Sequence, residues 1–175
     1  MSQFDPRQVR ALLEEAAKSS TADARGKKYE ELLSYVFSSV PGTLVLSNKK
    51  NYFGGEQVDL AIGHSGNFNG VPSNFLVECK NYEDPVDSKA VGYFLFICLS
   101  RGANLAVIAA ANGLTGDPRD SSYAHSLALA AAAMGCRLIV VTKDDLLALR
   151  TTDDVTKLIS HRYLDAFANG GIGAG

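Results

Sequence analysis

Phe75-Leu76-Val77-Glu78-Cys79-Lys80 sets an acid and a lysine, two residues apart, at the end of an otherwise apolar run. The run is short and follows a glycine- and asparagine-rich stretch over 63–74, so it suits a strand better than a helix. Strand alternation puts Leu76, Glu78 and Lys80 on one face and Phe75, Val77 and Cys79 on the other. Gln57-Val58-Asp59-Leu60-Ala61-Ile62 has the same character, with Val58, Leu60 and Ile62 on one face and Asp59 on the other. Residues 57–62 and 75–80 therefore read as a long-looped hairpin with an exposed connection. Pairing its strands brings Asp59 beside Glu78.

The rest of the chain frames this hairpin. Asp5-Pro6 is a helix start, with Asp as N-cap and Pro in the first turn, and Val9, Leu12, Leu13 and Ala16 follow at helical spacing. Small polar residues over 19–26 break that helix, and a second spans 27–38 on the stripe Tyr29, Leu32, Leu33, Val36 and Phe37. Residues 43–46 read as a short strand and 48–56 as a loop. Past the hairpin come a helix over 87–100 capped by Asp87, a buried strand over 103–111, and a loop over 112–120. An alanine-rich helix over 122–134, a buried strand over 136–142, helices over 144–150 and 152–168, and a glycine-rich frayed tail complete the chain. Strands separated by helices imply parallel crossovers. An antiparallel start joined to a parallel finish gives an α/β fold with a central mixed β-sheet flanked by helices. The expected division is an N-terminal helix and linker over 1–25, a main domain over 26–150, and a C-terminal helix and flexible tail over 151–175.

Two carboxylates and an ammonium crowded at one strand end are costly without a purpose, because the acids repel and one would keep its proton. A divalent cation removes the conflict. Mg²⁺ takes hard oxygen ligands and keeps several waters, so Asp59 and Glu78 plus a substrate phosphate suffice as its shell. Bound there, it would acidify a water and neutralise charge on a phosphoryl transition state. Lys80 would orient or deprotonate that water, or stabilise developing charge.

This pattern resembles the PD-(D/E)xK nuclease superfamily, and within it the catalytic domain of Mrr-type restriction endonucleases. Gly26-Lys27-Lys28-Tyr29-Glu30 resembles the family's upstream acidic motif. Gly55-Glu56-Gln57-Val58-Asp59-Leu60 resembles the strand leading to its aspartate, and Val77-Glu78-Cys79-Lys80-Asn81-Tyr82 its catalytic strand. The resemblance runs over about 26–149 and departs in two ways. Val58 stands where the motif has proline, and Glu78 stands where many Mrr-type members carry glutamine. The resemblance implies a three-layer restriction-endonuclease-like fold and a Mg²⁺-dependent endonuclease hydrolysing DNA phosphodiester bonds, with Mn²⁺ as a possible substitute. It implies Asp59, Glu78 and Lys80 as catalytic residues, with Glu30 as an auxiliary acid and the Cys79 backbone carbonyl completing the metal shell. The expected setting is DNA restriction, anti-phage defence or DNA processing. The alternative is a catalytically inactive copy that binds nucleic acid or protein. With no recognition domain beside the core, a homodimer or a partner protein is expected to supply recognition.

Composition constrains this reading without carrying it. A net charge of −2 and a pI near 5.9 give no global attraction to nucleic acid, so phosphate binding falls to a local basic rim. Lys49, Lys50 and Lys89 are the candidates for it. Cys79, Cys98 and Cys136 each lie in an apolar run, match no zinc spacing, and read as reduced core thiols of a cytoplasmic protein. No apolar signal core or membrane-length stretch is present, so no membrane partner is expected.

Overall fold

The computed structural model describes residues 4–50, 55, 57–80 and 83–174. The motif residues Glu56, Asn81 and Tyr82 lie outside them. A six-stranded mixed sheet in the order β1-β2-β3-β4-β5-β6 separates two helical layers, so the expected α/β three-layer arrangement is present.

Helix α1 (Pro6–Lys18) starts as expected, with the Asp5 carboxylate accepting the Arg7 amide hydrogen. Helix α2 (Ala22–Ser38) begins earlier than residue 27, because the Thr21 hydroxyl accepts the Ala24 amide hydrogen and so caps a turn that its small residues do not resist. The stripe Tyr29, Leu32, Leu33, Val36 and Phe37 is buried. Strand β1 (Thr43–Lys50) pairs antiparallel with β2 (Gln57–His64), which pairs antiparallel with β3 (Asn74–Lys80). Thus Lys49 and Lys50, expected in a loop, extend β1. Its polar second half forms a strand because β2 pairs with it, Lys49 opposite Val58 and Lys50 opposite Gln57.

The hairpin connection is exposed at most of its positions, as its glycines suggest, but it is anchored at two. Phe68 and Val71 are buried in it, and Phe68 meets Phe75 edge-on with ring centroids 5.9 Å apart. Such aromatic pairs contribute about 0.5–1.5 kcal/mol beyond their buried area, enough to fix the loop over the sheet.

From β3 onward the chain is right for parallel pairing. Helix α3 (Ser88–Ser100) leads to β4 (Leu105–Ala110), α4 (Pro118–Ala133) to β5 (Arg137–Val141), and both new strands run parallel to β3. Every residue of β4 is buried, because helices cover both faces. Leu105, Val107 and Ala109 join one core cluster with α1, α2, α5 (Lys143–Ala148) and α6 (Thr152–Asn169). Ala106, Ile108 and Ala110 join the other, with α3 and α4. The tail is docked rather than frayed: β6 (Ile172–Gly173) adds to β5 in parallel, with Ile172 buried. Gly173 is required there, since a Cβ would overlap the Arg162 carbonyl. No helix among the described residues is long and apolar enough to cross a membrane.

One departure from alternation matters for function. Leu60 and Ile62 pack in the α1/α2 cluster as expected, but Val58 packs in the α3/α4 cluster. The strand therefore turns over at Asp59. Opposite it, Asn48 has a φ of +52°, the pairing of Asn48 with Asp59 is missing from the ladder, and β2–β3 pairing stops at Leu60 and Val77. The sheet splays open at the aspartate.

Candidate active site

Strand parity determines what faces the splay. The Ala111 amide donates to the Lys80 carbonyl, so the even residues of β3 hydrogen-bond toward β4 and the odd ones toward β2. Past Val77 the next amide facing β2 belongs to Cys79. No β2 carbonyl meets it. The Asp59 carboxylate accepts it instead, through Oδ2 at 2.7 Å. Asp59 thus turns across the gap between strands, and by the same parity the Cys79 carbonyl faces that gap too.

Glu78 and Lys80 share the opposite set of positions on β3 and meet directly, Nζ to Oε1 at 2.6 Å, with side chains only 15% and 21% exposed for Glu78 and Lys80. Burial and the Asp59 carboxylate push the Glu78 carboxyl above the ordinary carboxylate range, against the pull of Lys80. Burial raises Asp59 as well, opposed by the Cys79 amide and by Lys80. The third acid comes from α2. Burial and the Asp59 charge raise Glu30, while a hydrogen bond with Asn48 and the Lys27 charge lower it. Glu30 in turn acts on Glu78. Asp59, Glu30 and Glu78 all bear on the buried Cys79 thiol and help hold it protonated.

Three carboxylates from α2, β2 and β3 therefore share one field around the carboxyl end of β3, with Lys80 as its internal cation. The grouping is looser than a preformed cage: among the described residues, no three acidic, histidine or cysteine side chains are close enough together to hold one ion. Glu78 is engaged by Lys80 and Asp59 by the Cys79 amide. The donors themselves suit a hard divalent cation, since all are oxygens and their mutual repulsion is what a cation would relieve.

The basic candidates are placed unequally. Lys49 and Lys50 are exposed on β1 beside the strand that carries Asp59. Lys89 lines a groove of about 730 Å³ with Arg25, Cys79 and the acids Glu83, Asp84 and Asp87, so the groove carries no net positive charge. Arg25 and Asn48 are additions that the sequence reading missed. Arg25 pairs with Glu83 at 3.2 Å on the wall of that groove. Asn48 supports Glu30 and accepts from Gln57 at 2.8 Å. A signal for Asn48 existed: asparagine tolerates positive φ far better than most residues, and it sits beside the Lys-Lys pair. Arg25 was hidden by starting the second helix at Lys27 rather than at Ala22. Compared with known proteins, the chain matches no family model and no curated protein.

Proposed function

We propose that this protein is a metal-dependent endonuclease that hydrolyses DNA phosphodiester bonds at the splayed end of β2 and β3. The observation that carries the proposal is that Asp59 caps the amide of Cys79, between Glu78 and Lys80, which pair at 2.6 Å, with Glu30 within electrostatic reach and all three carboxyls raised. A fold does not accumulate like charge in a half-buried place for stability. Asp59 and Glu78 would hold Mg²⁺, or Mn²⁺ in its place, with the Cys79 carbonyl and Glu30 beside them. The cation would supply Lewis acidity to a phosphate oxygen and acidify a bound water. With Glu78 as a ligand, Lys80 would orient the attacking water or stabilise charge on the phosphate. Lys49 and Lys50 along β1 would supply the local basic rim that the net charge lacks, with Lys89 as a single further contact in a groove whose Glu83, Asp84 and Asp87 outnumber its Arg25 and Lys89. The resemblance to Mrr-type nucleases extends the proposal to a cytoplasmic role in DNA restriction, anti-phage defence or DNA processing. A homodimer or a partner protein would supply recognition.

A second reading has its own observation. The 2.6 Å pair of Lys80 and Glu78 neutralises the acid internally, as in a catalytically inactive copy that binds nucleic acid or protein. Incubation with supercoiled, linear and single-stranded DNA, and with RNA, separates the two. Cleavage of DNA in Mg²⁺ that stops with chelator and with Glu78→Ala is expected. Tight binding of the same substrates with no cutting in Mg²⁺ or Mn²⁺ would replace the first reading by the second.

A further inference from the structure

Strand β1 closes one side of the sheet, and no described strand pairs with its outer edge. Parity identifies the groups that edge offers. The His64 amide donates to the Ser73 carbonyl, so the even residues of β2 face β3 and the odd ones face β1. Leu44 and Leu46, opposite Gly63 and Ala61, therefore bond inward, and Val45 and Ser47 direct N–H and C=O outward. The Thr43 amide is already taken by the Val40 carbonyl at 3.2 Å. Beyond Ser47 the edge turns at Asn48, whose φ is +52°. The flat outward edge thus covers 43–47, with Val45 at its centre. Leu44 and Leu46 flank that centre on one face, 75% and 54% exposed.

An apolar edge of this kind is a template for another strand, and its details select the strand. We infer that β1 is a homodimer seam in which two copies pair their β1 strands antiparallel about a two-fold axis at Val45. In that register Val45 exchanges both hydrogen bonds with its equivalent. Leu44 of each copy lies directly opposite Leu46 of the other, a self-complementary pair made twice. The leucines also border a groove of about 530 Å³ floored by Ala61, Gly63 and Leu76, which α3 and α4 leave open beside the seam. An unrelated extended peptide would satisfy the amides but not this reciprocal leucine match. The inference does not rest on the nuclease reading, though an axis normal to the sheet would open both acid clusters on one side.

Sedimentation of the full chain from about 1 to 200 μM, the range in which a modest interface equilibrates, should show a concentration-dependent dimer. Val45→Pro removes an outward-facing amide and part of a half-buried side chain, and Leu46→Lys places an ammonium in the seam. Each should weaken dimerisation by about tenfold or more with the monomer still folded by circular dichroism. Register is read by Val45→Cys: equivalent hydrogen-bonded residues lie about 5.5 Å apart at Cα, inside disulfide range. Copper-phenanthroline oxidation should cross-link this variant and spare Thr43→Cys, whose equivalents are about 13 Å apart at 3.3 Å per residue. A chain monomeric over the whole range overturns the inference. So does a dimer indifferent to Leu46→Lys, or one that cross-links through Thr43→Cys in preference to Val45→Cys.

Discussion

Asp59→Asn separates the two things Asp59 does. The amide oxygen of asparagine can still accept the Cys79 amide hydrogen now bound at 2.7 Å, so the splayed strand end keeps its cap. The charge disappears, and with it the repulsion that raises Glu78 and Glu30. Replacing a charge-assisted hydrogen bond by a neutral one costs about 1 kcal/mol. Relief of like charge at a half-buried site returns a similar amount, so the net change without cation should stay within about 1 kcal/mol, or roughly 2–4 °C for a chain of this length. The cation response is the sharper readout. A site with a dissociation constant of about 1 mM gains about 1.4 kcal/mol in 10 mM Mg²⁺ by mass action, which raises Tm by about 3–6 °C. Differential scanning fluorimetry with and without Mg²⁺ should find that rise in wild type and less than about 1 °C in Asp59→Asn. If the variant keeps the full Mg²⁺ shift, the cation binds elsewhere. If it loses many degrees with no cation present, Asp59 is a structural cap and the repulsion argument is wrong.

Three further outcomes test the framework. Burial raises Asp59, and burial with the Asp59 charge raises Glu78 and Glu30, so the folded chain keeps their protons to higher pH than the unfolded chain. In chelator, urea stability should therefore be greatest relative to these groups below the ordinary carboxylate range and decline as pH rises through their raised values, with Mg²⁺ flattening the decline at neutral pH. Gly173→Ala forces a Cβ onto the Arg162 carbonyl. It should cost about 1–3 kcal/mol in urea unfolding and expose the β6 amides to hydrogen exchange. Asp145→Ala breaks the 2.7 Å pair with Arg162 and the Thr142 capping box together. The loss of about 3–5 kcal/mol expected for a buried pair should appear in the same assay.

Much of this architecture is legible in the residues. The apolar runs that became β3, β4 and β5, the caps Asp5 and Asp87, and the stripe on α2 are local signals that tertiary packing reinforces. Three of the failures share a cause: structure imposed by a partner. Ser47-Asn48-Lys49-Lys50 carries no apolar face, and only pairing with β2 makes it a strand. The glycine-rich tail is a strand because α6 brings the Arg162 carbonyl so close that only glycine fits. Phe68 was one apolar ring in a polar loop, and Phe37 and Phe75 draw it inward. Asp117-Pro118 starts α4 by the same chemistry as Asp5-Pro6, and a reading that weighed the two alike would have placed the helix correctly. The candidate site divides along the same line. Asp59, Glu78 and Lys80 were readable from alternation, but the turnover of β2 at Asp59, which aims its carboxylate at the Cys79 amide, depends on Asn48 across the ladder.

The central claim is that Lys80 and the acids around it form a working hydrolytic site. Its most direct test is the single-turnover cleavage rate of supercoiled DNA in Mg²⁺ by wild type and by Lys80→Ala, purified in parallel. A functioning site predicts chelator-sensitive cutting by wild type and a fall of about 100-fold or more in the variant. Equal residual cleavage by the two proteins would contradict it.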